Sequence, residues 1–301
     1  MLRVEHVSKT YRVGAFGSSK LQAVRDVSFD VRPGEVLSLI GESGSGKSTI
    51  GRMILRLLEP TAGTISFDDA DVATLHRRNL KEYYRRVQGV FQDPFSSYNP
   101  IFKIDRIFSM IRVEFFPGMD RSAWDAKLVA AIESVSLTPG QVLGKYPHQL
   151  SGGQLQRLLI ARALLLDIKY LVADEIISML DASTRIDVLN LLANLKEHGL
   201  GIVFITHDLS LGNYISDTTL ILRRGCVVEM GATEKVFGDP RHPYTKSLLA
   251  SVPLLHTKWG EIESRLELLP GEANGDGPEA ATPVLVEVED DHFVASVGPD
   301  K

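Results

Sequence analysis

The sequence predicts an α/β protein with a mainly parallel sheet, a strand-rich start and a helical insertion. Three observations predict it. Residues 41–49, Gly41-Glu42-Ser43-Gly44-Ser45-Gly46-Lys47-Ser48-Thr49, fit the phosphate-cradling pattern G-x-x-x-x-G-K-[ST], with an apolar run before them and a helical period after. Two further apolar runs, 168–173 and 201–206, end in Asp174-Glu175 and His207-Asp208. Strands alternating with helices argue for parallel pairing, and ligands of such sheets bind beyond the carboxyl ends of strands. Residues 101–145 instead show helical spacing, with Ile104, Ile107, Phe108 and Ile111 on one face and Trp124, Leu128, Ala131, Ile132 and Val135 on another.

Taken in order, residues 1–13 and 21–31 alternate as strands do, through Leu2, Val4, His6, Val7 and Tyr11 and through Val24, Val27, Phe29 and Val31, with a loop over 14–19. Pro33-Gly34 turns into a buried strand over 34–40. Ile50, Met53, Ile54, Leu57 and Leu58 mark the helix after the loop, and 63–67 is a short strand. Residues 75–86 are a basic helix whose Arg77, Arg78, Lys81, Arg85 and Arg86 read as a solvated face. A strand over 87–91 ends at Gln92, before a turn-rich loop at 93–100. Ser151-Gly152-Gly153 opens the next helix, and 184–198 is another. A hairpin is expected over 219–229 and helix over 232–255, interrupted by Pro240 and Pro243. Residues 271–280 are rich in Gly, Glu and Ala and are expected to be mobile, and 282–288 read as a closing strand.

The 301 residues allow one large or two modest domains. A net charge of -5, from 33 basic and 38 acidic residues, gives no reason to expect nucleic-acid binding. One cysteine, Cys226, rules out an internal disulfide or an all-cysteine metal cluster within the chain and favours a reducing, cytoplasmic setting. The start of the chain lacks the apolar core of a signal peptide, and no apolar run approaches the roughly 20 residues that span a bilayer. If the protein works at a membrane, another subunit does the spanning.

The chemistry of 41–49 follows from its residue types. Glycines at 41, 44 and 46 let successive N–H groups converge on one anion, and the helix that follows adds partial positive charge. Lys47 supplies a full charge for the β/γ-phosphates, and the Ser48 hydroxyl is placed to coordinate Mg²⁺. Ser151 at a helix start, followed by two glycines, makes a second anion site.

With Leu150-Ser151-Gly152-Gly153-Gln154 the pattern becomes specific: the chain resembles the ATP-binding subunit of an ABC (ATP-binding cassette) transporter. The matches fall in order over residues 11–208: Gly41–Thr49, Gln92, Leu150–Gln154, Asp174-Glu175 and His207. The resemblance implies a P-loop NTPase (RecA-like) α/β core, an N-terminal antiparallel β subdomain, an inserted helical subdomain and a C-terminal extension. The expected division is 1–93 with 167–235 as the nucleotide-binding core with its β subdomain, 94–166 as the helical subdomain and 236–301 as the extension. ATP binding then involves Tyr11, stacked on adenine, and Gly41, Glu42, Ser43, Gly44, Ser45, Gly46, Lys47, Ser48 and Thr49. Ser48, Gln92 and Asp174 serve Mg²⁺. Glu175 orients or deprotonates the attacking water, pointing away from Asp174 in an extended backbone, and Gln92 and His207 complete the catalytic set. Leu150, Ser151, Gly152, Gly153 and Gln154 serve the ATP of a partner in a head-to-tail dimer, with Asp181 as a dimer contact.

One stretch departs from the family, which commonly has Asp-Glu-Pro-Thr-Ser-Ala-Leu-Asp where this chain has Asp174-Glu175-Ile176-Ile177-Ser178-Met179-Leu180-Asp181. The bulk of Ile176, Ile177 and Met179 leaves the dimer-contact geometry open. The loop 93–100, Tyr146-Pro147-His148-Gln149 and Asp239-Pro240-Arg241-His242-Pro243-Tyr244-Thr245 resemble the importers of the oligopeptide/dipeptide/nickel group. That resemblance implies an ATPase motor of an importer for oligopeptides or dipeptides, with oligosaccharides or nickel as alternatives within the group. The partners implied are membrane permeases, a second ATPase subunit (a heterodimer favoured over a homodimer) and, indirectly, an extracytoplasmic solute-binding protein, at the cytoplasmic face of the membrane. Some members carry an iron–sulfur cluster in this tail; a tail without cysteine implies none here. The rival readings fit less well. A non-transport ABC ATPase of the chromosome type has long coiled coils between loop and signature, and the translation type has two cassettes per chain. A metabolic kinase has no use for the Ser151 motif.

Overall fold

The computed structural model describes residues 1–13, 19–251 and 283–296. They fall into two compact units, one of Met1–Thr74 with the chain from Val203 onward, the other of Leu75–Ile202.

The first unit opens with a four-stranded antiparallel sheet in the order β2-β1-β4-β5, formed by β1 (Leu2–Val13), β2 (Ser19–Val31), β4 (Ala62–Phe67) and β5 (Ala70–Asp71). Leu2 lies opposite Val31 and Val4 opposite both Phe29 and Ile65; these apolar residues are buried, as one face of an alternating strand must be. The expected loop at 14–19 is shortened from its far end, because Ser19 already belongs to β2; 14–18 lie outside the described residues.

The same unit contains β3 (Val36–Ile40), every residue of which is buried. It pairs in parallel with β9 (Thr218–Arg223), and β9 turns back into β10 (Cys226–Ala232). Arg224 and Gly225 both take positive φ, 49° and 85°, the geometry that a tight hairpin turn needs to match strand twist. Two strands of the C-terminal segment, β11 (Val284–Glu289) and β12 (His292–Ser296), extend this sheet through antiparallel β12–β10 pairing. The closing strand expected at 282–288 is thus one arm of a hairpin. Among the described residues, the helices of this unit are α1 (Lys47–Ile54), α8 (Leu209–Ile215), α9 (Thr233–Gly238) and α10 (Pro243–Ala250). The helix at 209–215 was not expected from the sequence. Ile40, Leu209, Ile221, Val228, Val236, Tyr244 and Ala295 form one buried cluster, so the segments after β10 share a core with the strand that leads into the glycine loop. A Cβ at Gly212 would lie 2.4 Å from the Ile40 side chain, which is how closely α8 approaches β3. Expectations for 252–255 and 271–280 fall outside the described residues.

The second unit holds α2 (Arg77–Arg86), β6 (Val87–Val90), α3 (Asp105–Phe115), α4 (Arg121–Ser134), α5 (Pro139–Val142), α6 (Gly152–Leu164), β7 (Tyr170–Asp174) and α7 (Ala182–Glu197); the boundary at 202/203 falls inside β8 (Gly201–Thr206). The helical insertion forms as its periodicity predicts: Trp124, Leu128, Ala131 and Ile132 are the buried face of α4, and Asp120 caps it by accepting the Ser122 and Ala123 N–H groups. The basic helix α2 is solvated only in part. Arg77, Arg78 and Lys81 are exposed, Lys81 also pairing with Glu114 at 2.8 Å, whereas Arg85 is half-buried and donates to the Phe115 carbonyl at 3.2 Å.

Candidate functional site

The predicted site residues divide between the units. Tyr11, Gly41–Thr49 and His207 belong to the first; Gln92, Leu150–Gln154, Asp174, Glu175 and Asp181 belong to the second.

In the first unit, the loop after β3 has little freedom to change. A Cβ at Gly41 would sit 2.2 Å from the Leu222 carbonyl on neighbouring β9, so the close strand pairing itself demands glycine there. Gly46 stands at the helix N-cap with φ 106°, and a Cβ there would lie 2.5 Å from the Ala23 carbonyl. No side chain caps α1 at Gly46, and the N-terminus of a helix after a glycine-rich loop is suited to an anion. Lys47 is 4% exposed, and its ammonium donates to the Gly41 and Glu42 carbonyls at 2.7 and 2.8 Å. The hairpin turn holds the loop from behind, Gly225 N–H donating to the Ser45 carbonyl at 3.0 Å. Tyr11 is half-buried on β1, with the Lys9 ammonium 5.6 Å from its ring centre. His207 is exposed just past β8. Its neighbours are fixed: Asp208 N–H donates to Thr206 Oγ1 at 3.0 Å, and the Asp208 carboxylate caps α8.

In the second unit, β6 and β7 run parallel with Val90 opposite Ala173, so Gln92 and Asp174-Glu175 leave the sheet at the same end. Asp174 closes β7 and is 7% exposed. Glu175 takes φ 51°, a left-handed conformation rather than the extended backbone expected from the sequence. It therefore does not simply alternate with Asp174. Such a conformation costs a non-glycine residue on the order of 1–3 kcal/mol and persists where surrounding structure imposes it, often at functional sites.

Helix α6, which begins within the Leu150–Gln154 signature, is bound to the Gln92 strand and to the 93–100 loop. Gln156 donates to the Phe91 carbonyl at 3.4 Å, Arg162 to the Gly89 carbonyl at 2.8 Å, and the Tyr98 hydroxyl to the Leu155 carbonyl at 3.5 Å. Burial pushes the Tyr98 phenol above its ordinary range, and burial pushes the Arg162 guanidinium down. Sequence reasoning missed these residues, because nothing in the spacing of Gln156 or Tyr98 shows that their polar ends meet carbonyls of another element.

Ser151 caps α6 reciprocally. Its Oγ accepts the Gln154 N–H at 3.2 Å, and the Gln154 side-chain oxygen accepts the Ser151 N–H at 3.0 Å. The two glycines that follow differ. A Cβ at Gly152 would meet open space, whereas one at Gly153 would lie 2.6 Å from the Thr184 methyl. Thr184 is itself held by Asp181, which accepts its N–H at 3.0 Å and its hydroxyl at 2.8 Å, and the Ser183 hydroxyl at 2.6 Å. Those donors hold the Asp181 carboxyl well below the usual carboxylate range, the Ser183 hydroxyl contributing most. Asp181 thus has a role within its own chain as the cap of α7. Of the departing residues, Ile176 and Ile177 are buried and Met179 is exposed, so only the methionine adds apolar surface. Cys226 is buried in β10, and burial pushes its thiol up.

Among the described residues no helix is long and apolar enough to cross a membrane, and no group of three or more His, Cys, Asp or Glu side chains could hold a metal ion.

Residues 24–178 match the family described as ABC transporter, and residues 228–277 match the family described as oligopeptide/dipeptide transporter, C-terminal region. A Brucella ovis protein, named as a peptide import ATP-binding protein, is 44% identical over 84% of this chain and 78% of its own length. The Escherichia coli glutathione import ATP-binding protein GsiA is 42% identical over 92% of this chain and 44% of its own length. Among solved structures, the dimeric ATP-binding cassette MJ0796 bound to ADP and Pi superposes with a TM-score of 0.69 at 27% identity, covering 77% of this chain and 99% of that one. The fold expected from the sequence, a P-loop α/β cassette with an N-terminal antiparallel β subdomain, is the fold found; the sheet, expected to be mainly parallel, is mixed, because the strands after β9 pair antiparallel.

Proposed function

The chain belongs to the ABC transporter family as an ATP-binding, ATP-hydrolysing member, and on that premise we propose that it is the motor subunit of an importer for oligopeptides or dipeptides. The observation that carries the solute class is the oligopeptide/dipeptide C-terminal region at 228–277, joined to a cassette whose relatives are named for peptide and glutathione import. In this reading the cassette comprises 1–93 and 167–235, the signature subdomain 94–166 and the extension 236–301.

The residue roles follow from the chemistry. Gly41–Thr49 wrap the phosphates, with Lys47 leaving its carbonyl partners to bridge the β- and γ-phosphates, and Tyr11 stacks on adenine. Ser48, Gln92 and Asp174 would hold Mg²⁺, whose charge would neutralise that developing on the phosphates. Glu175 orients and deprotonates the attacking water, and His207 steadies the γ-phosphate. Leu150–Gln154 meet the nucleotide of a partner cassette, and Asp181 lies at that contact. The bonds from α6 to the Gln92 strand let the state of the signature helix reach the 93–100 loop, where a permease is gripped. The partner is a second, different ATPase chain, and the pair sits on the cytoplasmic face of permeases fed by a solute-binding protein.

Glu175→Gln tests the chemistry. ATP binding persists while turnover falls at least about a hundredfold, the lower range for a lost general base; near-normal hydrolysis would remove Glu175 from the mechanism. Gentle solubilisation of tagged protein from its host tests the assembly. Recovery with permeases and a second ATPase is expected, and recovery with ribosomes or chromosomal proteins would break the transport reading.

A further inference from the structure

The extension after β10 does more than share a core with β3. The Tyr244 hydroxyl, on the first turn of α10, accepts the backbone N–H of Glu42 in the phosphate loop at 3.3 Å. We infer that Tyr244 is a positioning residue through which the C-terminal extension sets the shape, and so the nucleotide affinity, of the phosphate loop. The inference rests on reading 41–49 as the phosphate site.

Several observations converge on this contact. The polar groups of the first loop residues are taken from both sides: Lys47 holds the Gly41 and Glu42 carbonyls, and Tyr244 holds the Glu42 N–H. The Tyr244 ring cannot wander. It is 6% exposed within the cluster containing Ile40, Ile221 and Val236, and the Arg223 guanidinium lies 5.0 Å over its face. Glu42, Ser43, Gly44, Ser45, Arg223, Arg224 and Tyr244 together wall a cleft of about 260 Å³ against the loop.

The position of α10 is fixed in turn by a buried carboxylate. Glu229 on β10 is fully buried; it accepts the Arg241 N–H at 2.7 Å, the His242 N–H at 3.0 Å and the His292 ring at 2.8 Å. The His242 ring nitrogen Nδ1 then caps α10 by accepting the Tyr244 N–H at 3.1 Å. A chain of hydrogen bonds therefore runs from β12 through Glu229 and His242 to Tyr244 and the loop. Both Glu229 oxygens and His242 Nδ1 are satisfied in this chain of bonds, whereas His292 Nδ1 is buried without a partner among the described residues; satisfied buried polar groups specify one geometry. A loop held in its phosphate-ready shape has less ordering to do on binding, which raises affinity without altering the chemical step.

Tyr244→Phe keeps the ring, its packing and its place under Arg223, and removes only the hydroxyl. Titration of ADP into the purified full chain is expected to show a Kd raised roughly three- to tenfold, the range for one neutral hydrogen bond, with thermal stability in the absence of nucleotide within about two degrees of the parent. An unchanged Kd overturns the inference, as does a rise in Kd that appears only with a large loss of stability. The parent chain and Lys47→Ala are titrated alongside. If the parent does not bind ADP, or Lys47→Ala binds as well as the parent, the phosphate-site reading itself has failed and the inference falls with it.

Discussion

Two helices of this chain begin at glycine-rich turns, and they begin differently. α1 starts behind Gly46 with no side-chain cap, a buried lysine at its first position, close approach of β9, a backbone bond from the hairpin turn and a side-chain bond from Tyr244 of α10 to the loop. α6 starts behind Ser151 with a complete reciprocal capping box and open space beside Gly152. The first start carries no side-chain cap and is braced by neighbouring elements. The second has met its local needs and offers an exposed edge. In the proposed function, the first start binds nucleotide within a single chain and the second meets the nucleotide of a partner.

The largest effect that could break this comparison comes from the two starts themselves. Lys47→Ala is expected to weaken nucleotide binding by the isolated chain by about a hundredfold, corresponding to roughly 3 kcal/mol for charge-assisted contacts. Ser151→Ala is expected to lower turnover of the assembled dimer about tenfold, while the isolated chain's nucleotide affinity moves less than about twofold. Calorimetric titration of the isolated chain and turnover of the assembly separate the two; a matching loss of affinity for both variants would erase the distinction.

A smaller effect sharpens it. Gly152→Ala meets open space and keeps the melting temperature of the parent, whereas Gly153→Ala meets the Thr184 methyl at 2.6 Å and lowers it by several degrees. Thr184 cannot turn aside without leaving Asp181. Adding Thr184→Ser removes the methyl, keeps the hydroxyl and restores most of the loss. Failure of that rescue in thermal denaturation would mean that Gly153 is required for its backbone rather than for close packing.

The smallest effect lies in the bracing of α1. Burial lowers the pKa of His242, against the opposing pull of Glu229, and its neutral Nδ1 caps α10. Because the folded state binds this proton less readily than the unfolded chain, stability is complete above the ordinary histidine range and declines as pH falls through and below about 6.5. Thermal melts between pH 8 and 5.5 are expected to show that decline, and His242→Gln to flatten it. An equal slope in both proteins would place the pH sensitivity elsewhere.

The features legible in the sequence are those that one element carries alone. The glycine loop, the signature turn, the apolar strands ending in acidic residues or histidine, and the helical periods of α3 and α4 each follow from short-range spacing, because strand and helix periods and turn chemistry are local. The order of those motifs was enough to identify the family. Tertiary structure alone decided the left-handed backbone at Glu175, the packing of Gly153 on Thr184, the tie from α6 to the carbonyls of Phe91 and Gly89, and the reach of Tyr244 to Glu42. Each of these joins residues distant in sequence or depends on constraint from surrounding structure. No periodicity records which carbonyl lies within reach of a buried side chain; that is settled only when the chain has folded and buried polar groups must find partners.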